Sequence, residues 1–187
     1  MKYMMILLVV LIIVVALGGC SYIGMRNSLV TMDEDVNSAW AQVETVLQRR
    51  YDLIPNLVNT VKGYAKHESG VFEEVTRLRS QWGEAKTQSD KVAAANQIEG
   101  ALSKLLLVSE NYPELKANQN FIALQDELTG TENRISVERR RYNEIVKQLN
   151  ANIRRFPMNI VAGMMGLQKR DYFEAEQGAA AAPKVEF

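Results

Sequence analysis

The sequence predicts an all-α protein: a long antiparallel coiled-coil-like bundle of three or four helices behind an N-terminal hydrophobic membrane segment. Three observations predict it. Apolar residues recur at alternating steps of three and four over long stretches, the spacing of one helix face. Ala, Leu, Glu, Gln, Lys and Arg are plentiful, whereas 4 prolines and 11 glycines are all that interrupt 187 residues, and few of those fall in the central region. Turn signals separate the apolar stripes, at Gly63 with Lys66-His67 and at Glu110–Glu114.

Lys2 is followed by an uncharged, mostly apolar run from Met4 to Leu17, then Gly18, Gly19 and Cys20. A basic start, an apolar core and small residues fit a secretory signal peptide. The tetrad Leu17-Gly18-Gly19-Cys20 resembles the lipobox of bacterial lipoproteins, which implies a lipidated Cys20 as the new N-terminus. The alternative is an uncleaved anchor. Tyr22, Ile23 and Met25 extend the uncharged run to about 22 residues, enough to span a bilayer, which takes ~20. Both readings attach the chain to a membrane. Lys2 precedes the span and Asp33, Glu34 and Asp35 follow it, so the positive-inside tendency places the bundle on the extracytoplasmic (periplasmic) side.

Helix one is expected from about Asn27 to about Lys66, roughly 60 Å at 1.5 Å per residue. Its seam is Val36, Trp40, Val43, Leu47, Ile54, Leu57, Val61 and Tyr64, with Arg50 breaking the series. Pro55 removes a backbone donor and crowds the carbonyl of Tyr51, a kink signal. A second stripe, Val71, Val75, Leu78, Trp82 and Ala85, slips phase before Ile98, Leu102, Leu105 and Tyr112. With a fresh cap offered at Gln88-Ser89-Asp90, this reads as a broken or stuttered long helix rather than two separate domains. Asn111 is the expected cap before Pro113. The third helix then runs from about Glu114 to about Arg155, with seam residues Phe121, Leu124, Leu128, Ile135, Tyr142, Ile145, Leu149 and Phe156, interrupted by Thr131 and Glu138. Short turns between three stripes make an up-down-up bundle.

The run from Gln48 to Glu68, QRRYDLIPNLVNTVKGYAKHE, resembles the signature of the LemA family at Arg49-Arg50, Asp52–Val58, Thr60–Lys62, Tyr64-Ala65 and His67-Glu68. The resemblance extends through Glu110–Phe121, Tyr142-Asn143 and the ending Lys169–Glu174. It implies a helical fold and a membrane location. It implies no reaction, because LemA-like proteins as a class have no firmly assigned activity.

Arg50 and Glu138 fall near the middles of helices one and three, so an ion pair between them across the seam is expected, fixing register more than adding stability. The alternative is a ligand or partner site formed at the kink by Arg50, Asp52 and Asn56. Trp40 and Trp82 read as core, His67 as a helix-end residue, and Arg139-Arg140-Arg141 and Arg154-Arg155 as solvated faces. Arg154-Arg155 is also placed to touch anionic lipid headgroups. The segment Met158–Leu167 is too short to span a bilayer. It reads either as a strap on the bundle end or as an apolar contact, through Met158, Ile160, Val161, Met164, Met165 and Leu167, for a membrane or another subunit. Residues 1–26 are thus anchor or signal, 27–157 bundle, 158–177 apolar segment, and 178–187 a disordered tail.

Lys plus Arg total 22 and Asp plus Glu 22. That balance argues against a nucleic-acid partner. One cysteine and one histidine exclude an intrachain disulfide and most metal or triad chemistry. No phosphate loop, metal spacing or nucleophile–base pair is present, so neither a cofactor nor an enzyme is expected. The partners expected are the membrane, further copies of the chain, and a neighbouring membrane protein. The function expected is that of a scaffold, with a small-ligand sensor or adaptor as the alternative.

Overall fold

The computed structural model describes residues 2–65 and 67–174. The Lys66 half of the expected helix-end cation pair, and the tail 178–187, lie outside the described residues. The fold is all-helical, with no strand among the described residues. Among the described residues six helices follow in order: α1 (Lys2–Lys62), α2 (Ser69–Glu84), α3 (Gln88–Ser109), α4 (Pro113–Lys116), α5 (Gln119–Asn152) and α6 (Met158–Met165). The described chain divides into two compact units, residues 2–40 with Arg141–Tyr172, and Ala41–Arg140 with residues 173–174.

Helix one does not begin at Asn27. The apolar run and the bundle seam belong to a single helix, α1, because nothing between Leu17 and Asn27 breaks it; two adjacent glycines cost propensity but leave every donor in place. Its N-terminal segment is long and apolar enough to cross a membrane, and none of it is buried.

In the first unit, α1 and α5 run antiparallel. Trp40 meets Tyr142 edge to face, with centroids 5.6 Å apart at 65°. Val36, Ala39, Tyr142, Val146 and Leu149 are buried. Val146 takes the place expected of Ile145, which is half-buried. The chain after α6 is strapped back onto this pair. Asn150 Nδ2 donates to the Arg170 carbonyl (2.9 Å) and Arg170 N–H donates to Asn150 Oδ1 (3.0 Å). The Arg170 guanidinium donates to Asp33 Oδ1 from Nε (3.1 Å) and Nη2 (2.8 Å). Tyr142 Oη donates to the Asp171 carbonyl at 2.8 Å. A strap without secondary structure of its own needs such partners for its backbone groups.

In the second unit, Arg49 pairs with Glu127 (2.9 Å) and Asn118 Nδ2 donates to Tyr64 Oη (2.9 Å), so α1 and α5 are again antiparallel. The phase slip near residue 88 marks a reversal rather than a stutter. Lys104 on α3 reaches Glu74 on α2 at 3.2 Å. In one continuous helix those residues would stand roughly 45 Å apart. The reversal is capped by Thr87, whose Oγ1 accepts from Asp90 N–H (3.1 Å) and donates to the Asp90 carboxylate (2.6 Å). α2 and α3 therefore form a hairpin that packs Phe72, Val75, Leu78, Ile98, Leu102 and Leu105 inward with Leu47, Ile54, Leu57 and Val61 of α1. Each such side chain contributes about 1.5–3 kcal/mol on burial.

The third helix is also divided. Pro113 opens the one-turn α4, and α5 starts afresh at Gln119. Its cap is Asn118, whose Oδ1 accepts from Asn120 N–H (2.9 Å) and Phe121 N–H (3.1 Å). Asn111 has no such role, since Tyr112 occupies the capping position of α4. Phe156, expected in the seam, lies beyond the end of α5 and is exposed.

Candidate functional site

The block that carries the family resemblance lies on α1 at the heart of the second unit. Arg50 is 2 % exposed, although it sits in a row of aliphatic seam residues. Its guanidinium pairs with Glu132 through Nη2, while Nε is buried without a hydrogen-bond partner. Burial pulls its pKa down, opposed chiefly by the carboxylate of Glu99 on α3. These three residues line a cavity of about 210 Å³ with Leu102, Ser103, Leu106, Leu128, Thr129 and Asn133. One guanidinium thus faces two carboxylates in a small cleft walled by leucine.

The carboxylate set against Arg50 is therefore Glu132 and not the expected Glu138. The expectation matched the midpoints of the two helices. The true register, fixed by Arg49–Glu127 and Tyr64–Asn118, places Arg50 opposite a residue nearly two turns before Glu138. Glu138 itself is half-buried and has an interaction of its own. The neighbouring seam interruption, Thr131, is buried and satisfied within its own helix, its Oγ1 donating to the Glu127 carbonyl at 2.8 Å.

Asp52 and Asn56 do not join Arg50. At 100° per residue they point well away from it. Asp52 accepts from Gln48 Nε2 at 2.8 Å on the solvent side, and Asn56 lies on an exposed surface beside Asn59 and Thr60. The carbonyl of Tyr51, freed of its helical donor by Pro55, accepts from Arg79 Nε of α2 at 3.3 Å. Tyr51 stacks on Trp82, with centroids 4.1 Å apart at 18°, and burial pushes its phenol pKa up. Both Tyr51 Oη and Trp82 Nε1 are buried without a hydrogen-bond partner. Trp82 is accordingly core, as its place in the stripe implies. His67 stands exposed in the turn after α1. Arg139 lies over the Phe173 ring at 5.8 Å, so the triple-arginine run is not wholly a solvated face.

In the first unit, the six residues expected to form one contact surface divide into two sets. Val161 and Ala162 are buried against Leu29, and Met158, Met165 and Leu167 pack half-buried around them with Tyr22, Met25 and Ile153. Ile160 and Met164 remain exposed on the other side of α6, joined by Phe156. Gly166 ends α6 at φ 69°, where the N–H of Leu167 reaches the Ala162 carbonyl (3.0 Å) and that of Gly166 reaches Gly163 (3.2 Å). That is the Schellman pattern, which needs a left-handed residue and sets Leu167 inward. Cys20 is exposed on α1. Among the described residues, no group of His, Cys, Asp or Glu is placed to hold a metal ion.

The model of the LemA family matches residues 39–187. The chain belongs to the LemA family. Protein LemA of Metamycoplasma hominis is 25 % identical over 157 residues, covering 83 % of this chain and 72 % of that protein. Magnetosome protein MamQ 2 of Paramagnetospirillum magneticum is 26 % identical over 174 residues, and MamQ of Magnetospirillum gryphiswaldense 25 % over 173; each alignment covers 79 % of this chain. The chain spans 64 % of the length of these MamQ relatives. As a LemA-family member with a helix apolar enough to cross a bilayer, this is a membrane-associated helical protein. Glu132, Glu99 and the Asn150–Arg170 clip escaped the sequence reading. Glu132 does adjoin Thr131, a visible break in the apolar series. The clip involves residues too far apart in the chain for any local pattern to join.

Proposed function

We propose that this LemA-family chain is a non-catalytic scaffold of the bacterial envelope, anchored in the membrane and holding further copies of itself or a neighbouring membrane protein. The observation that carries the reading is α1. The same helix supplies an unburied apolar segment of membrane-spanning length and, from Leu29 onward, core residues of the folded body. Partners bound to that body are thereby held at the membrane. The names of the relatives, Protein LemA and Magnetosome protein MamQ, carry no reaction, which supports a structural role. The charge bias around the span supports a body on the periplasmic side, and Cys20 is the lipid acceptor if the lipobox is processed. Intact mass distinguishes a chain starting at an acylated Cys20 from one that retains Lys2.

Native mass spectrometry of the protein extracted from its own membranes in mild detergent tests the scaffold. A uniform oligomer, or a complex with one partner in fixed ratio, is the expected result. A bare monomer refutes it.

A second reading, a small-ligand sensor, is favoured by one observation: the buried Arg50, its Nε unpartnered, lining a cavity with Glu99 and Glu132. Saturable stabilisation of the monomer by a small zwitterion, lost in Arg50→Met, would support this reading over the scaffold.

A further inference from the structure

The exposed side of α6 is placed, by the packing of its other side, beside the end of the membrane-spanning segment. Counting ~20 residues for a bilayer core of about 30 Å, a span that begins at Tyr3 ends near Tyr22. Tyr22, Met25 and Leu29 are the α1 residues against which α6 packs. Leu29 stands only about 10 Å along the helix from Tyr22. The antiparallel contact of Trp40 with Tyr142 brings the far end of α5 toward the same level, and Ile153 joins the same cluster. The turn after α5 and the whole of α6 therefore form the membrane-proximal end of this unit.

The outward face of that end is apolar. Phe156 is 77 % exposed, Ile160 55 % and Met164 70 %. Ile160 and Met164, four residues apart, keep to one side of α6, and Phe156 stands exposed in the turn that leads into it. From Arg154 to Lys169 the chain contains no carboxylate, and Arg154, Arg155 and Lys169 are exposed at its two ends. An apolar stripe bracketed by cations is the composition of a helix that lies in a lipid interface.

We propose that α6 is an interfacial foot: Phe156, Ile160 and Met164 enter the headgroup–acyl boundary of the membrane that holds α1, while Arg154, Arg155 and Lys169 bind anionic lipid headgroups. The occupant is a bilayer surface rather than a second copy, because α6 is docked at the end of the span and its flanking charge is wholly positive. The geometry is the same if residues 1–19 are removed, since acyl chains on Cys20 then enter the bilayer two residues before Tyr22. The foot fixes the tilt and rotation of the body over the membrane, which a lone spanning helix leaves loose. This inference rests on α1 as the anchor.

The test uses the full chain with Cys20→Ser, carrying either Met164→Cys or, as a reference farther along α1 in the same unit, Ser38→Cys, each labelled with an environment-sensitive fluorophore. The proteins are reconstituted into phosphatidylcholine vesicles with or without about a third phosphatidylglycerol. Spin-labelled lipid should quench the Met164 label at least about threefold more than the Ser38 label. Iodide should do the reverse. Arg154→Gln with Arg155→Gln and Lys169→Gln should remove the extra lipid quenching gained on adding phosphatidylglycerol. A Met164 label open to iodide in chains that float with the vesicles overturns the foot and leaves the anchor standing. Protection from both quenchers, growing with protein density, also overturns it, in favour of a second copy. Chains that fail to float overturn foot and anchor together.

Discussion

Breaking the Arg50–Glu132 pair from its two ends should cost unequal amounts. Glu132 is 41 % exposed and Arg50 is 2 % exposed. Arg50→Met leaves a carboxylate that takes up water, and puts an unbranched apolar side chain into a cleft walled by Leu102, Leu106 and Leu128. The charged hydrogen bond lost is worth about 1.5–3 kcal/mol, and removing a desolvated guanidinium offsets most of it, so a net cost of about 1 kcal/mol or less is expected. Glu132→Gln strands the guanidinium. Removing one partner of a buried pair costs about 3–5 kcal/mol, and the field of Glu99 holds this case to the lower end, about 3 kcal/mol. Arg50→Met/Glu132→Gln should then cost little more than Arg50→Met alone, a coupling of about 2.5–3 kcal/mol. The assay is urea unfolding of the full chain in mild detergent, followed by tryptophan fluorescence, with slopes compared to confirm that one transition is being measured. Equal costs for the two single changes, or a larger cost for Arg50→Met, would refute the argument that burial rather than pairing dominates at this position.

Asn150→Ala removes both hydrogen bonds to the Arg170 backbone at a buried position; it should cost about 2 kcal/mol in the same unfolding assay and expose the Lys169–Asp171 segment to protease, with Tyr142→Phe costing about 1 kcal/mol. Gly166→Ala, with open space around the new Cβ but φ at +69°, should cost about 1 kcal/mol from backbone strain alone.

The seams were legible because burial on a helix leaves a periodic trace. Val36, Val43, Leu47, Ile54, Leu57 and Val61, read from spacing alone, are all buried. What spacing does not encode is where a chain reverses. The slip between Ala85 and Ala95 is visible as lost phase, yet a stutter and a hairpin produce the same loss. Only the Glu74–Lys104 contact separates them. The polar seam residue was likewise found but mispaired, because pairing depends on the direction and register of the facing helix. An up-down-up bundle sets helix three parallel to helix one, which matches Arg50 with Glu138, whereas the α2–α3 hairpin adds a reversal and turns α5 antiparallel to α1. On α6, composition marked the apolar segment correctly but could not divide it. The division of Val161 from Ile160 is a matter of helix phase relative to Leu29, a residue of another helix.

Pro55 shows how local chemistry and tertiary structure were joined at the centre of α1. A proline inside a helix costs about 3 kcal/mol, partly because a carbonyl one turn back loses its donor. Here that carbonyl, of Tyr51, is taken by Arg79 from α2. Tyr51 itself and the residue before it do the rest. Tyr51 stacks on Trp82 of α2, and Arg50 turns to Glu132 of α5. The defect in α1 has thus become the point where α2 and α5 are specified. Arg79 and Pro55 should accordingly be coupled. In Pro55→Ala the Tyr51 carbonyl regains its own helical donor, and the penalty for losing the Arg79 guanidinium should shrink. A helix without the proline would be stronger by itself, and less choosy about what it packs against.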